Sequence, residues 1–256
     1  MKYPELEKLV DIIAVLRSEN GCPWDREQTH KTLRPNMLEE AYEAVDAIDE
    51  NDIPNLREEL GDVLLQVVLH AQIAKDNNEF DIEDVAKELS QKLIHRHPHV
   101  FGNAHVDSAN DVVVNWDKLK NEEKTYRKSI LDGISKSQSA LMSAQKISKK
   151  VVKVGFEWDS VESLKKCIQS EYKEFEEAVN SGDKDKMEDE MGDIFFATVN
   201  LARWYKIDAE QALLSANKKF TKRFKKMEEL KTKPFEEYSY EEFDELWKKA
   251  KIETNN

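Results

Sequence analysis

The sequence contains one pattern of acidic residues twice, at a constant separation. In the first half, Glu40 and Glu43 are three positions apart, and Glu59 and Asp62 follow with the same spacing. The second half repeats both pairs 131 positions later, as Glu171 with Glu174 and Glu190 with Asp193. In each half a glycine lies between the two acids of the later pair, at Gly61 and at Gly192. Residues three apart lie on one face of a helix. The chain is therefore predicted to contain two copies of one helical unit.

Composition and periodicity predict an all-α fold. The 256 residues include only seven glycines and six prolines, well below average usage, which favours long helices over hairpins. We find no convincing alternation of apolar and polar residues typical of a strand. We predict two tandem helical-bundle domains, 1–120 and 141–256, joined by a polar linker over 121–140. The helices expected to carry or follow the acidic pairs are 36–49, 55–75, 82–95, 172–179 and 187–204.

The acidic pairs predict a metal site in each copy. Two packed helices that each present such a pair would bring four carboxylates together, and these repel one another unless a cation neutralises them. Oxygen ligands of this kind suit a hard divalent cation, chiefly Mg²⁺. The plain alternative is two solvated acidic faces kept since a duplication. We favour the site, because much of the intervening sequence has diverged while these acids have not.

Basic and aromatic residues recur as well. Lys92 and Arg96 are four positions apart, and Lys219 and Arg223 repeat them 127 positions later. Such residues are often simply solvated, but opposite a metal–carboxylate cluster they can hold phosphate oxygens. The second copy is the more basic, with lysines at 165, 166, 173, 184 and 186. The repeated tryptophans fit either a core anchor or a surface on which a base stacks, and both interpretations stay open; they are Trp116 and Trp247.

Other features exclude several classes of protein. The net charge of −13 disfavours direct binding to nucleic acid. We find neither an apolar run long enough for a membrane helix nor a signal core, and two cysteines without metal spacing fit a reducing cytoplasm. Zinc at His95, His97 and His99 is disfavoured, because the second copy lacks these histidines. Glycine-rich phosphate loops and the serine-hydrolase elbow are missing from the sequence.

Several motifs together resemble the MazG-type nucleoside triphosphate pyrophosphohydrolases, in their two-domain bacterial form. The family pattern Glu-Glu-x-x-Glu followed by Glu-x-x-Asp is matched by 39–43 and 59–62. Further segments also look like the family, and with them the resemblance covers nearly the whole chain. These segments are 21–25, 30–33, 96–101, 115–116, 154–158 and 197–203. The second copy departs from the pattern at Ser170, where the first copy has Glu39.

The resemblance implies an all-α homodimer that hydrolyses nucleoside triphosphates to the monophosphate and pyrophosphate, with Mg²⁺ and water attack at the α-phosphorus. By position it makes the second-copy acids catalytic metal ligands; they are Glu171, Glu174, Glu190 and Asp193. The matching first-copy metal ligands are Glu40, Glu43, Glu59 and Asp62. Residues implied in nucleotide contact are Lys219, Arg223 and Trp247, with Lys186 and the first-copy counterparts Lys92, Arg96 and Trp116.

The expected role is house-cleaning of the nucleotide pool in the cytoplasm. We expect the second copy to carry most of the hydrolysis, because its more basic surroundings suit a triphosphate. Two rivals remain. One is a related helical hydrolase restricted to dUTP or phosphoribosyl-ATP, which a panel of nucleotides would separate. The other is an acidic helical adaptor that binds a nucleotide or a protein without turnover, which undetectable pyrophosphate release would favour.

Overall fold

The computed structural model describes residues 3–123 and 128–255, apart from the side chains of Asn110 and Asn121. Every regular element within these residues is a helix, which confirms the predicted all-α class. The chain divides into two compact units, Met1–Thr125 and Tyr126–Asn256. The first unit contains α1 (Pro4–Arg17), α2 (Pro23–Glu27), α3 (Arg34–Glu50), α4 (Ile53–Asp76), α5 (Ile82–Arg96), α6 (Pro98–Phe101) and α7 (Ala109–Glu122). The second contains α8 (Ala140–Val152), α9 (Val161–Ser181), α10 (Lys184–Trp204), α11 (Ala209–Leu230), a 3₁₀ turn (Phe235–Glu237) and α12 (Tyr240–Thr254).

A helical hairpin of α3 and α4 forms the middle of the first unit. Asn51 ends α3 in the left-handed conformation with φ of 56°, and Asp52 then caps α4 by accepting a hydrogen bond from the Asn55 amide at 3.1 Å. The N-terminal half of α4 carries acids and its C-terminal half enters the core. The main cluster of buried apolar residues in this unit consists of Ile13, Leu33, Val68, Leu69 and Ile73. The hairpin therefore places the acids of α3 beside those of α4.

The second unit repeats this hairpin with α9 and α10. Gly182 ends α9 with φ of 71°, a backbone conformation that a β-carbon disfavours. Asp183 caps α10 by accepting a hydrogen bond from the Lys186 amide at 3.3 Å. α8 packs against α10 and α11, and α12 packs along α11. The apolar contacts between α11 and α12 centre on Met227, Leu246 and Ala250.

Some helix bounds differ from those expected. α9 begins at Val161 rather than near 172, because Ser160 caps it by accepting from the Ser163 amide at 3.2 Å. α7 extends to Glu122, past the predicted domain end at 120, and α8 begins at Ala140, where the predicted linker ends. The Lys150 ammonium donates to the Ile130 carbonyl at 2.5 Å, which ties the segment before α8 to that helix. The linker prediction also covers 124–127, which lie outside the described residues.

No helix in the described part of the chain combines the length and the apolar character needed to cross a membrane.

Candidate metal and nucleotide site

Three carboxylates of the second unit converge between α9 and α10. Glu171 and Glu174 come from α9 and Glu190 from α10, and each offers an oxygen within 4.8 Å of the other two; these three residues are called the second acidic cluster. Asp193 lies one turn further along α10. Burial raises the pKa of Glu190, and the charges of Glu174, Asp193 and Glu171 raise it further. The hairpin thus brings together acids that are 16 positions or more apart in the sequence.

The first unit contains the matching group, the first acidic cluster, formed by Glu40, Glu43 and Glu59. Their nearest oxygens also lie within 4.8 Å of one another. Burial raises the pKa of Glu40, and the charges of Asp62 and Glu43 contribute next. The pKa of Glu59 is raised by burial first and then by Glu43 and Asp62. Both copies therefore form the same three-carboxylate arrangement, with an aspartate beside it.

Both clusters fit a hard divalent cation. Two oxygens bound to one Mg²⁺ at about 2.1 Å lie at most about 4.2 Å apart, so spacings within 4.8 Å need only small side-chain adjustments. Carboxylates crowded without a cation hold protons more strongly, which agrees with the raised pKa of Glu59 and Glu190. The donor set is oxygen alone, as Mg²⁺ prefers. The ligand roles of these acids remain a prediction.

Two small side chains of α9 contact ligands of the second acidic cluster. The Cys167 thiol donates to Glu171 Oε1 at 3.3 Å, and the Ser170 hydroxyl donates to Glu174 Oε1 at 3.1 Å. The pKa of Cys167 is raised to about 11, first by burial and then by its hydrogen bond to Glu171 and the nearby carboxylate charges. The sequence interpretation missed both contacts, although the i, i+4 spacing on one helix could have indicated them.

An open cleft of about 450 Å³ lies beside the second acidic cluster. Glu171 and Asp193 form part of its wall, so the cleft is continuous with the acids. The rest of the wall is mostly apolar and aromatic; it consists of Ile147, Val151, Phe156, Glu157, Trp158, Cys167, Phe196, Ala197 and Asn200. A concave, mainly apolar space with a few polar groups is typical of a small-molecule site. We call it the aromatic cleft; the sequence interpretation did not predict it.

The predicted nucleotide contacts of the second unit come from α10, α11 and α12. Lys219 and Arg223 are on α11, and the Arg223 guanidinium lies 5.8 Å from the centre of the Trp247 ring on α12. Trp247 is partly buried against the α11–α12 core, so it serves at least as a core anchor. Lys186 is exposed at the start of α10, with its ammonium 4.0 Å from the Asp183 carboxylate. The described residues that line the aromatic cleft do not include Lys186, Lys219, Arg223 or Trp247.

In the first unit, Arg96 is occupied by a contact within its own unit. Its side chain is 5% exposed, its Nε donates to Glu123 Oε1 at 3.1 Å and its Nη2 donates to the other carboxylate oxygen. The guanidinium also lies 5.2 Å from the centre of the Trp116 ring. A nucleotide contact from Arg96 would have to replace Glu123. Lys92 is exposed on the same helix, and the nucleotide roles of all three predicted residues remain predictions.

The first unit has polar groups on α4 where the second has apolar ones. Gln66 and His70 follow Asp62 at successive steps of four, and the matching residues of α10 are Ala197 and Leu201. Gln66 is 4% exposed, and its Oε1 has no hydrogen-bond partner among the described residues. His70 Nδ1 lies 2.7 Å from His30 Nδ1. The sequence interpretation missed this difference between the two copies of the helix.

Comparisons with known proteins identify the family of this chain. The model of the MazG nucleotide pyrophosphohydrolase domain matches residues 28–101 and 159–227, the segments that carry both acidic clusters. The Thermotoga maritima "nucleoside triphosphate pyrophosphohydrolase/pyrophosphatase MazG" is 47% identical over 96% of this chain and 95% of its own. The Escherichia coli K12 "nucleoside triphosphate pyrophosphohydrolase" is 42% identical over 96% of this chain and 97% of its own.

A solved structure of a mazG-related protein from Thermotoga maritima aligns with 45% of this chain and 98% of its own, at 31% identity and a TM-score of 0.39. The family resemblance drawn from the motifs is confirmed by the match of the domain model to both units and by the full-length relatives. The chain belongs to the MazG nucleotide pyrophosphohydrolase family.

Proposed function

We propose that the protein hydrolyses nucleoside triphosphates to the monophosphate and pyrophosphate, mainly at the second acidic cluster and with Mg²⁺. The observation that carries the proposal is a three-carboxylate cluster in direct continuity with a cleft of about 450 Å³ lined by aromatic rings. The cluster suits the metal that accompanies a triphosphate, and the cleft suits a nucleoside. The full-length relatives are named for this activity.

Each part of the site has a proposed role. The second-cluster acids and Asp193 hold Mg²⁺, which when bound offsets phosphate charge and lowers the pKa of water. Phe156, Trp158 and Phe196 pack against the base and keep water from it. Without a cation the carboxylates repel a triphosphate, so the residues themselves couple substrate binding to the metal. Lys219 and Arg223 hold the charge of the departing pyrophosphate.

The bond cleaved distinguishes this reaction from phosphate release. Water attacks the α-phosphorus, the bond from that phosphorus to the α,β-bridging oxygen breaks, and pyrophosphate leaves with that oxygen. Hydrolysis in ¹⁸O-labelled water is therefore expected to place the label in the monophosphate, as measured by mass spectrometry. Label in orthophosphate would refute the reaction class. The same assay over ribo- and deoxyribonucleotides, dUTP and phosphoribosyl-ATP would show whether one substrate alone is accepted.

Metal binding is expected to stabilise the fold more at high pH than at low pH. Because the pKa of Glu190 is raised, the folded state binds a proton at this carboxylate more strongly than the unfolded state does. Repulsion among the ionised carboxylates therefore destabilises the fold above that pKa. The repulsion is relieved as the pH falls through that pKa and Glu190 is protonated. Mg²⁺ gives the same relief only where the carboxylates are ionised. At 100 times its Kd, Mg²⁺ should add about 2.7 kcal/mol for each occupied acidic cluster at pH 8, and less at pH 5.

Differential scanning calorimetry with and without Mg²⁺ measures this effect. The double variant Glu59→Gln/Glu190→Gln is the control, because it removes one charge from each acidic cluster and should respond much less. An equal rise in the melting temperature of the double variant would place the bound Mg²⁺ elsewhere. The homodimer, the cytoplasmic location and the role in the nucleotide pool remain predictions.

A further inference from the structure

One buried amide lies in the otherwise mainly apolar wall of the aromatic cleft. Asn200 comes from the C-terminal half of α10, is 8% exposed and lines the cleft together with Phe196. Burying an amide costs free energy unless its hydrogen bonds are made. The position does not require an amide for packing, because the matching residue 131 positions earlier is Leu69, which is 3% exposed in the apolar core of the first unit.

Hydrogen bonds fix the orientation of this amide. Asn200 Nδ2 donates to the Phe196 carbonyl at 2.9 Å, and Asn200 Oδ1 accepts from the Ser148 hydroxyl at 2.6 Å. A backbone carbonyl can only accept, so a flipped amide would set two acceptors against each other. Ser148 comes from α8 and is 1% exposed. The contact between α8 and α10 therefore holds the Asn200 amide in one orientation.

The amide has unused hydrogen-bonding capacity. An asparagine side chain has two N–H donors and two acceptor lone pairs, and the contacts to Phe196 and Ser148 use one of each. Among the described residues, one N–H and one lone pair of this amide have no partner, and the amide belongs to a side chain that lines the cleft. A ligand that matches them needs an acceptor and a donor close together, because both unused groups belong to one amide. The aromatic residues Phe156, Trp158 and Phe196 around the cleft require that this ligand also has a flat apolar face.

A nucleobase has both properties. Asparagine pairs in this way with the N6 donor and N7 acceptor of adenine, and the other common bases also carry a donor beside an acceptor. We propose that Asn200, held by Ser148, recognises the hydrogen-bonding edge of the base, an inference that rests on the proposed nucleotide hydrolysis. Asn200 thereby selects for a base with a paired donor and acceptor, while Ser148 is a positioning residue.

The test compares ATP with purine riboside triphosphate, which keeps the ring acceptors but lacks the amino donor. A site built to hydrogen-bond a group discriminates against the analogue without it, so the wild type is expected to prefer ATP by about tenfold in kcat/KM. Asn200→Leu, which introduces the residue of the first unit, should bring this ratio close to one. The ratio of the two kcat/KM values does not depend on the fraction of folded protein, because that fraction affects both substrates equally. A full preference for ATP in Asn200→Leu would overturn the proposal.

The positioning role of Ser148 has its own measurement. Ser148→Ala removes the donor that fixes the amide, so it should reduce the preference for ATP mainly through KM while kcat changes little. An unchanged preference would show that Ser148 does not position Asn200. The control is Ser143→Ala on the same helix, which should keep the full preference.

Binding separates failure of this inference from failure of the proposed function. Calorimetry of the full chain with Mg²⁺ compares AMP with purine riboside monophosphate, for the wild type and for Asn200→Leu. A wild type that turns over no triphosphate would refute the hydrolysis. A preference for AMP that Asn200→Leu abolishes would still support base recognition in that case. Equal binding of the two monophosphates by the wild type would overturn base recognition even if hydrolysis is observed.

Discussion

Glu190→Gln is expected to lower the rate of pyrophosphate release from any accepted triphosphate by at least about 1,000-fold, which is about 4 kcal/mol of activation free energy. Glu190 supplies the α10 oxygen of the second acidic cluster, and a neutral amide of similar volume coordinates Mg²⁺ more weakly. Metal assistance is worth several kcal/mol in such reactions. Steady-state pyrophosphate release measures the loss, and circular dichroism should show unchanged helix content.

The chain supplies its own matched control in Glu59, which occupies the same position in the first acidic cluster. Glu59→Gln should cost much less than Glu190→Gln if the second unit carries most of the activity. Full activity in Glu190→Gln would remove the second cluster from the mechanism. A larger loss from Glu59→Gln would transfer the reaction to the first unit, where polar Gln66 and His70 follow the acids on α4.

Glu123→Ala is expected to destabilise the first unit by about 3 kcal/mol, because removing one partner of a buried ion pair leaves the other charge uncompensated. The charge left behind is the guanidinium of Arg96, whose side chain is 5% exposed. Glu123 itself is 27% exposed, so the effect should lie at the lower end of the range for such pairs. Denaturant unfolding followed by tryptophan fluorescence measures it, since Trp116 lies against Arg96.

The pH dependence gives this prediction a second readout. The hydrogen bond from Arg96 lowers the pKa of Glu123 from 4.5 to about 2, with a smaller contribution from His95. A lowered pKa stabilises the fold above the ordinary pKa, and this stabilisation is lost as the pH falls from about 4.5 towards 2. The variant should lack that part of the pH dependence. Asp244→Ala, which breaks the exposed pair with Lys248, is the control and should cost about 1 kcal/mol or less. Equal losses in both variants would show that burial of Arg96 contributes nothing.

The sequence alone indicated the helical class, the duplication and the acidic residues. Helix signals are local: aspartate is a preferred N-cap residue, and Asp81 and Asp208 cap α5 and α11 in the structure. Acids three apart share a helix face by geometry. A short turn then makes α3 face α4 and α9 face α10. The acids of each cluster therefore come together through the packing of two helices that are neighbours in the sequence. Boundaries were less certain, as the early start of α9 at Val161 shows.

Only the tertiary structure decided which distant side chains meet. Arg96 and Glu123 are 27 positions apart, and Ser148 and Asn200 are 52 positions apart. Neither pair could be read from periodicity, because periodicity places a residue on a face of its own helix but does not say which residue of another helix it contacts. Packing of α8 against α10 orients the Asn200 amide beside the aromatic cleft, whereas the same position in the first unit holds a core leucine. The local pattern thus determined which acidic side chains come together, and the packing of whole helices determined which side chains line the cleft beside them.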